Sequence, residues 1–388
     1  MKESGMDAPT SLGIPRAFES LPDPRQANHM HRFIDILTIA LLAVISSAED
    51  WVNVAAYGRS KEAWLRTFLE LPAGIPSHDT FNRVFACIQP AAFETCFRQW
   101  TAALVEGSRG KLVAIDGKSL RRSFEHAWDK SGMAHMVSAF VQANRLVLAQ
   151  EKTDGKGKEL DAIQSLLKIL DLKDAVVTID AIGCQKEIAQ LIIEAQADYL
   201  LAVKENQPTL LAKVKTLLAE ACLEKYAGFA HATAKTVDGE HGRLETREVH
   251  VLWDVEHLGP IAGEWPGLKS VVLIRRTREL PGTGGALKRS TEEHYAISSL
   301  DRRHHAATFL DASRGHWSVE NNLHWQLDVS FHEDLCRLHK GHGAQNFSRL
   351  NRLALNLLKK ETTRKVGIAT KRKICGWDND YLLKVLAG

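Results

Sequence analysis

Apolar residues first recur at helical spacing from Phe33, where Phe33, Ile36, Leu37, Ala40, Leu41 and Val44 mark a long helix. Trp51–Tyr57 and Glu62–Leu69 read as two shorter helices. LPAGIPSHDTF is the clearest helix start in the chain. Gly74 and Pro76 stop what precedes, Ser77 or His78 leads to Asp79 and Thr80, and Phe81, Val84, Phe85 and Ile88 follow periodically. Pro90 ends that segment, and Ala91–Glu106 is a further amphipathic helix carrying Phe93, Phe97, Trp100 and Leu104. Residues 1–30, with Pro9, Pro15, Pro22 and Pro24, read as an irregular arm, and residues 31–108 as an all-helical domain. Its Pro76–Phe85 turn and helix suit either a DNA groove or plain packing.

After Ser108-Arg109-Gly110 the period falls to two. Leu112–Asp116 is a first strand, and Met133–Val141 with Arg145–Glu151 reads as a hairpin. Glu159–Leu170 returns to helical spacing, Ala175–Ile179 is a fourth strand, Gln185–Gln196 a helix and Asp198–Val203 a fifth strand. Three strands followed by alternating helices and strands predict a mixed sheet flanked by helices. Strands one and four are expected to be neighbours, which brings Asp116 and Asp180 together. Residues 209–305 open with a helix and turn to β character, with strands at Ala232–Val237, Arg243–Trp253, Ser270–Thr277 and His294–Ser299. They read as a β-rich domain inserted into a core formed by residues 109–208 and 306–388. The second part of that core holds a helix toward Glu320, then a basic helix Asn346–Lys360.

Composition changes this picture little. The 388 residues are 45% hydrophobic and 25% charged, and the net charge of +3 implies no polyanion partner by itself. Its distribution is more telling: Arg349–Lys373 holds nine Lys or Arg and one acid, Glu361, and is expected to be a DNA-facing surface. Six scattered cysteines without a CxxC pair give neither a zinc motif nor a disulfide framework and suit a reducing compartment. The start lacks a signal-peptide pattern, and Phe33–Ser47 is too short to cross a membrane, so a cytoplasmic protein is expected.

The candidate chemistry lies where apolar strands end in carboxylates. KLVAIDGK (Lys111–Lys118) ends in Asp116, AVVTID (Ala175–Asp180) ends in Asp180, and Glu320 stands in RGHWSVENNLHW. Such aspartates often do no more than end a strand and begin a turn. Glu320 has an ordinary alternative too, as a helix-surface group paired with Arg314 or His324. Gathered at one sheet edge, however, the three would hold two Mg²⁺ or Mn²⁺ ions about 4 Å apart and support phosphodiester chemistry. Lys118, Lys204, Arg314 and His316 are candidates to neutralise phosphate there. Trp317 and Trp325 read as core residues, although exposed tryptophans can stack on unpaired bases.

Several long motifs in fixed order then narrow the reading. They are DPRQ (Asp23–Gln26), Phe33–Trp51, GIPSHDTFNRVF (Gly74–Phe85), AIDGKSLRRS (Ala114–Ser123), TIDAIGCQKEIA (Thr178–Ala189), YLLAVKENQP (Tyr199–Pro208), HGRLETR (His241–Arg247) and RGHWSVENNLHWQLDVSFHED (Arg314–Asp334). With them the chain resembles the ISAs1-type insertion-sequence transposases, which include the H-repeat-associated proteins, across roughly Asp23–Lys360. These are DDE transposases of the IS4-like superfamily.

The resemblance implies an α/β, ribonuclease H-like mixed sheet with flanking helices, an inserted β-rich domain and an N-terminal all-helical domain. It implies that Asp116, Asp180 and Glu320 are catalytic and bind Mg²⁺ or Mn²⁺, two ions in all. Element-end and target double-stranded DNA are the implied partners, met by a homodimer or higher oligomer. The expected DNA or phosphate contacts are Lys118, Arg121, Arg122, Lys204, Asn206, His241, Arg243, Arg314, His316, Arg349 and Arg352. The chain departs from the related pattern around the glutamate, with His316 where Arg is usual and Leu327 where Lys is usual. The rivals are an inactive DNA-binding relative, a non-transposing nuclease of the same fold, and a carboxylate-pair glycosidase. The basic C-terminal segment and the lack of a dense aromatic cleft weigh against the last.

Overall fold

Apolar alternation in the middle of the chain builds one nine-stranded mixed sheet, described here from a computed structural model covering residues 18–26, 29–104, 110–123, 133–153, 158–240, 243–281 and 287–387. Its strands are β1 (Leu112–Ser119), β2 (His135–Val141), β3 (Leu146–Thr153), β4 (Val176–Ile179), β5 (Asp198–Val203), β6 (His231–Glu240), β7 (Arg243–Leu252), β8 (Ser270–Pro281) and β9 (Leu287–Ser298). The order is β3-β2-β1-β4-β5-β9-β8-β7-β6. The expected hairpin is β2–β3, antiparallel, and β1 lies parallel to β4 with Ile115 opposite Ile179. With β5 parallel to β4, this half is the ribonuclease H-like mixed sheet that the resemblance implied. Strands β6–β9 do not form a separate sheet: β9 pairs antiparallel with β5, so the β-rich segment extends the same sheet.

Helices cover both faces. In order they are α1 (Phe33–Ile45), α2 (Trp51–Ser60), α3 (Glu62–Leu65), α4 (His78–Cys87), α5 (Pro90–Leu104), α6 (Glu159–Ile169), α7 (Lys186–Glu194), α8 (Pro208–Leu223), α9 (Ala306–Val319), α10 (Trp325–Ser330), α11 (Gly343–Lys360), α12 (Ile368–Trp377) and α13 (Asn379–Ala387). Period-two alternation in β1 sorts the faces. Val113 and Ile115 enter the core with α6, α7 and α8, while Ala114 enters the core shared by α1, α4, α5 and α11. Asp116 and Lys118 therefore share the second face, where Val319, Leu323 and Leu327 of the glutamate segment also pack.

The expected start of α4 has its cap: Ser77 Oγ accepts from the Thr80 amide at 3.3 Å. Its apolar face, Phe81, Val84 and Phe85, is buried. Trp51 meets Phe85 and Phe347 with ring centroids 4.6 and 5.0 Å apart, tying the N-terminal helices to α11.

That central helix overturns the expectation of a basic DNA-facing surface at Arg349–Lys373. Arg349 and Arg352 are completely buried. Arg349 Nε donates to Glu94 at 2.7 Å, and Arg352 donates to Glu333 at 2.8 Å. Asn346, Asn351 and Asn356 are buried beside them, with Asn356 closing both a donor and an acceptor contact to Val147 on β3. The polar face of α11 thus meets polar groups of other elements instead of water, because a buried charge is tolerable only when paired. Further along, Lys371 and Arg372 are buried as well, while Arg364, Lys365 and Lys373 stay exposed.

Candidate active site

The sheet edge after β1 and β4 forms the floor of a cavity of ≈ 360 Å³. Asp116 sits within β1, and Asp180 immediately follows β4 and caps a short 3-10 turn, Ala181–Gly183, by accepting from the Ile182 amide at 3.1 Å. Glu320 follows α9 and opens a π-helical turn, Glu320–His324, before α10. All three line the cavity, together with Thr178, Lys204, His294, His316 and Trp317. Residues separated by 64 and 140 positions are thereby brought to one place.

The sequence offers His324 only as a pairing partner of Glu320. It is 5% exposed, and its Nδ1 stands 3.6 Å from Asp116 and 3.4 Å from Glu320. The available signal was its position one turn after Glu320. The π turn that widens this turn has no comparable signature; such single turns often occur at functional sites. Lys359 on α11 pins the turn by donating to the Asn322 carbonyl at 2.7 Å.

The carboxylates perturb one another. Burial, with repulsion from Asp180 and Glu320, pushes Asp116 up to about 6 against the pull of His324. Burial likewise raises Asp180, and Glu159 adds to this, while the Ile182 amide and Lys204 oppose it. Glu320 is lowered by its hydrogen bond with His324, helped by Lys118 and Arg121.

The donor set tests the implied metal. Three oxygen-bearing carboxylates with one imidazole beside them match a hard divalent cation in kind. Among the described residues, no three His, Cys, Asp or Glu side chains are gathered closely enough to hold an ion as they stand. The residues fit the cation chemically, in an open arrangement.

The expected phosphate contacts divide. Lys204 is exposed at the cavity. Asn206 is exposed but donates to the Ala181 carbonyl at 2.6 Å, bracing the turn after Asp180. Arg121 and Arg122 are exposed, the former 3.2 Å from Asp334. Arg314 pairs with Asp238 at 3.3 Å. His241 lies outside the described residues, as does the side chain of Arg243, whose backbone begins β7.

Burial corrects two of these expectations. Arg349 and Arg352 are spent inside the fold, as above. Lys118 does not line the cavity but is 8% exposed and bound to Asp328 at 2.6 Å and Asp334 at 3.3 Å. His316 lines the cavity as expected, and desolvation pushes it down to about 4, so before a phosphate arrives it is neutral near pH 7 and offers a hydrogen bond in place of a charge. Trp317 and Trp325, expected in the core, are 53% and 49% exposed. Trp317 lies at the cavity, with the Arg276 guanidinium 5.2 Å from its ring.

The chain has relatives among known proteins. Residues 107–357 match the family model described as Transposase DDE domain, and residues 16–101 match one described as DDE_Tnp_1-associated. The chain is 38% identical over 373 residues to the "H repeat-associated putative transposase YhhI" of Escherichia coli K12, covering 95% of this chain and 96% of that protein. It is 38% identical over 372 residues to the "Putative transposase YncI" of Escherichia coli O157:H7, covering 95% and 92%. A piggyBac transposase in a synaptic complex with hairpin DNA overlays 96% of this chain and 77% of its own at a TM-score of 0.39 and 10% identity, too distant to carry detail across. A family match over most of the chain, with near full-length relatives above the level of chance likeness, leaves one assignment: this chain belongs to the DDE transposase family.

Proposed function

We propose that the chain is an active insertion-sequence transposase, cutting DNA at the element ends and joining the freed 3′ hydroxyl to target DNA. One observation carries the reading: Asp116, Asp180 and Glu320, from three separate elements, line a single cavity. These side chains would hold Mg²⁺ or Mn²⁺, a pair of ions in all. Such cations, when bound, activate the attacking oxygen and stabilise the leaving oxygen of a phosphodiester. Carboxylates facing one another repel, so the open set closes fully only around positive charge.

The remaining work falls to the chain itself. The amide of Ile182 fixes Asp180, and His324 holds Glu320 beside Asp116. Lys204, exposed at the cavity, meets the charge of an entering phosphate. In the first reaction a water oxygen forms a bond to phosphorus and the 3′ oxygen leaves. In the second, that 3′ hydroxyl gives up its proton and attacks a target phosphate in line while the target strand's own 3′ oxygen leaves, so no covalent protein–DNA link is required. Double-stranded DNA is the substrate in both, and a dimer or higher oligomer would bring two ends together. Among the described residues no helix is long and apolar enough to cross a membrane.

The test is purified full-length protein with labelled element-end DNA, target plasmid and Mg²⁺. The reading expects nicked ends and joined products, with Ala at position 116, 180 or 320 abolishing both while DNA binding persists. Cutting without joining would make the protein a nuclease, and binding without cutting an inactive relative.

A further inference from the structure

We propose that Lys118 is a positioning residue, which fixes the Glu320-bearing segment against the strand carrying Asp116. The inference rests on the catalytic reading above and assigns Lys118 a part in it other than phosphate contact. In β1, residues 116 and 118 point to the same face and lie roughly 7 Å apart along the strand. On the facing segment, Glu320 and Asp328 are eight residues apart, so roughly 12 Å separates them along a helical path. The two elements are joined at two points. His324 reaches Asp116 near one end, and Lys118 Nζ reaches Asp328 at 2.6 Å near the other. Core packing of Val319, Leu323 and Leu327 and the Lys359 contact already hold the segment; the two contacts to β1 add its direction along the strand that carries Asp116.

The charge balance supports this role. Lys118 and Arg121 face Asp328 and Asp334, two cations against two anions. Only the Lys118 end is buried, since Arg121 is 76% exposed. A phosphate reaching Lys118 would have to break a buried ion pair, which is unfavourable unless the carboxylate finds another partner. Glu333, next to Asp334, is itself bound to Arg352 of α11. The tether therefore continues into the buried centre of the molecule and does not end on a mobile surface.

Lys118→Met keeps most of the length of the side chain and removes its charge. In full-length protein it is expected to lower the maximal cleavage rate by about 100-fold, the effect of roughly 1 Å of misplacement. DNA affinity is expected to stay within about twofold, with an unchanged salt dependence, because no phosphate contact is lost. Amide exchange in residues 320–334 should quicken while that in α8 does not. Asp328→Asn should add little once Lys118 has been replaced, since the two act through one contact. If Lys118→Met does not fold, Asp328→Asn alone, which leaves Asp334 to pair with the ammonium, serves for the same measurements.

Weakened DNA binding with a salt slope reduced by about one would overturn the proposal in favour of a phosphate contact. Native cleavage or unchanged exchange in 320–334 would overturn it as well. Should the native protein not cut DNA at all, the catalytic reading fails instead. The exchange data then still decide whether Lys118 holds the segment.

Discussion

Gly183→Ala tests how tightly Asp180 is held. Gly183 closes the turn that Asp180 caps, and it is buried against Ile179, the last residue of β4. A Cβ at 183 would fall 2.3 Å from Ile179 Cγ2 and 2.9 Å from its Cβ. An ordinary carbon–carbon contact is about 3.5 Å or more, so the nearer pair is short by about 1.2 Å. Ile179 cannot swing aside: it is branched at Cβ, where rotation is stiff, and 2% exposed in the core beneath the sheet. The turn must move, and Asp180 moves with it. Overpacking of this kind costs about 1–3 kcal/mol of stability. A displacement of about 1 Å at a reacting group costs about 100-fold in rate. Urea unfolding and the cleavage assay read the two effects separately. Ile179→Ala with Gly183→Ala removes the closer clash and should recover much of the rate lost by Gly183→Ala alone. A Gly183→Ala protein with native stability and cleavage would refute the packing argument.

Other outcomes follow from buried charge and from the cavity rim. Arg352→Met strips Glu333 of its partner and should destabilise the fold by about 3–5 kcal/mol, read by denaturant unfolding, with no change in the salt slope of DNA binding. Glu361 should set part of the acid stability. Burial alone would raise its carboxyl, but hydrogen bonds from Thr363 and Tyr381, with Lys371 nearby, hold it at about 2 against an ordinary 4.5. Its folded pKa is depressed, so the stability it contributes is complete above pH 5 and is lost as pH falls toward 2. Unfolding free energies of Glu361→Gln and native protein should therefore converge over that range. Lys204→Gln should weaken DNA binding about equally for all sequences and lower the salt slope by about one, measured by titration at several salt concentrations.

Much of the sheet was legible because strand signals are local. Apolar alternation marked β1 and β4, and the short Gln142–Asn144 connection marked the β2–β3 hairpin. Right-handed crossovers then make β1 and β4 neighbours, as they are in the sheet. The extension of that sheet by β9 was not visible, since it depends on an edge contact between Val203 and Tyr295, far apart in the chain. The role of α11 was misread for a physical reason. Its Arg and Asn positions look like a wet face, and periodicity cannot tell water from Glu94, Glu333 and β3 as the partner. Lys118 misled in the same way, because Asp328 and Asp334 reach it from over two hundred residues downstream. At the candidate site, the three carboxylates stood out as strand-end or motif residues. His324 did not, because its importance comes from a π turn that brings it to Asp116.

The shared-cation claim is tested most directly by electron paramagnetic resonance of Mn²⁺ titrated into full-length protein on element-end DNA. The native protein should bind the ion, and Asp116→Asn, Asp180→Asn and Glu320→Gln should each weaken that binding by at least about tenfold. If any one of these variants holds Mn²⁺ as tightly as the native chain, that carboxylate is not a ligand and the three do not form one site.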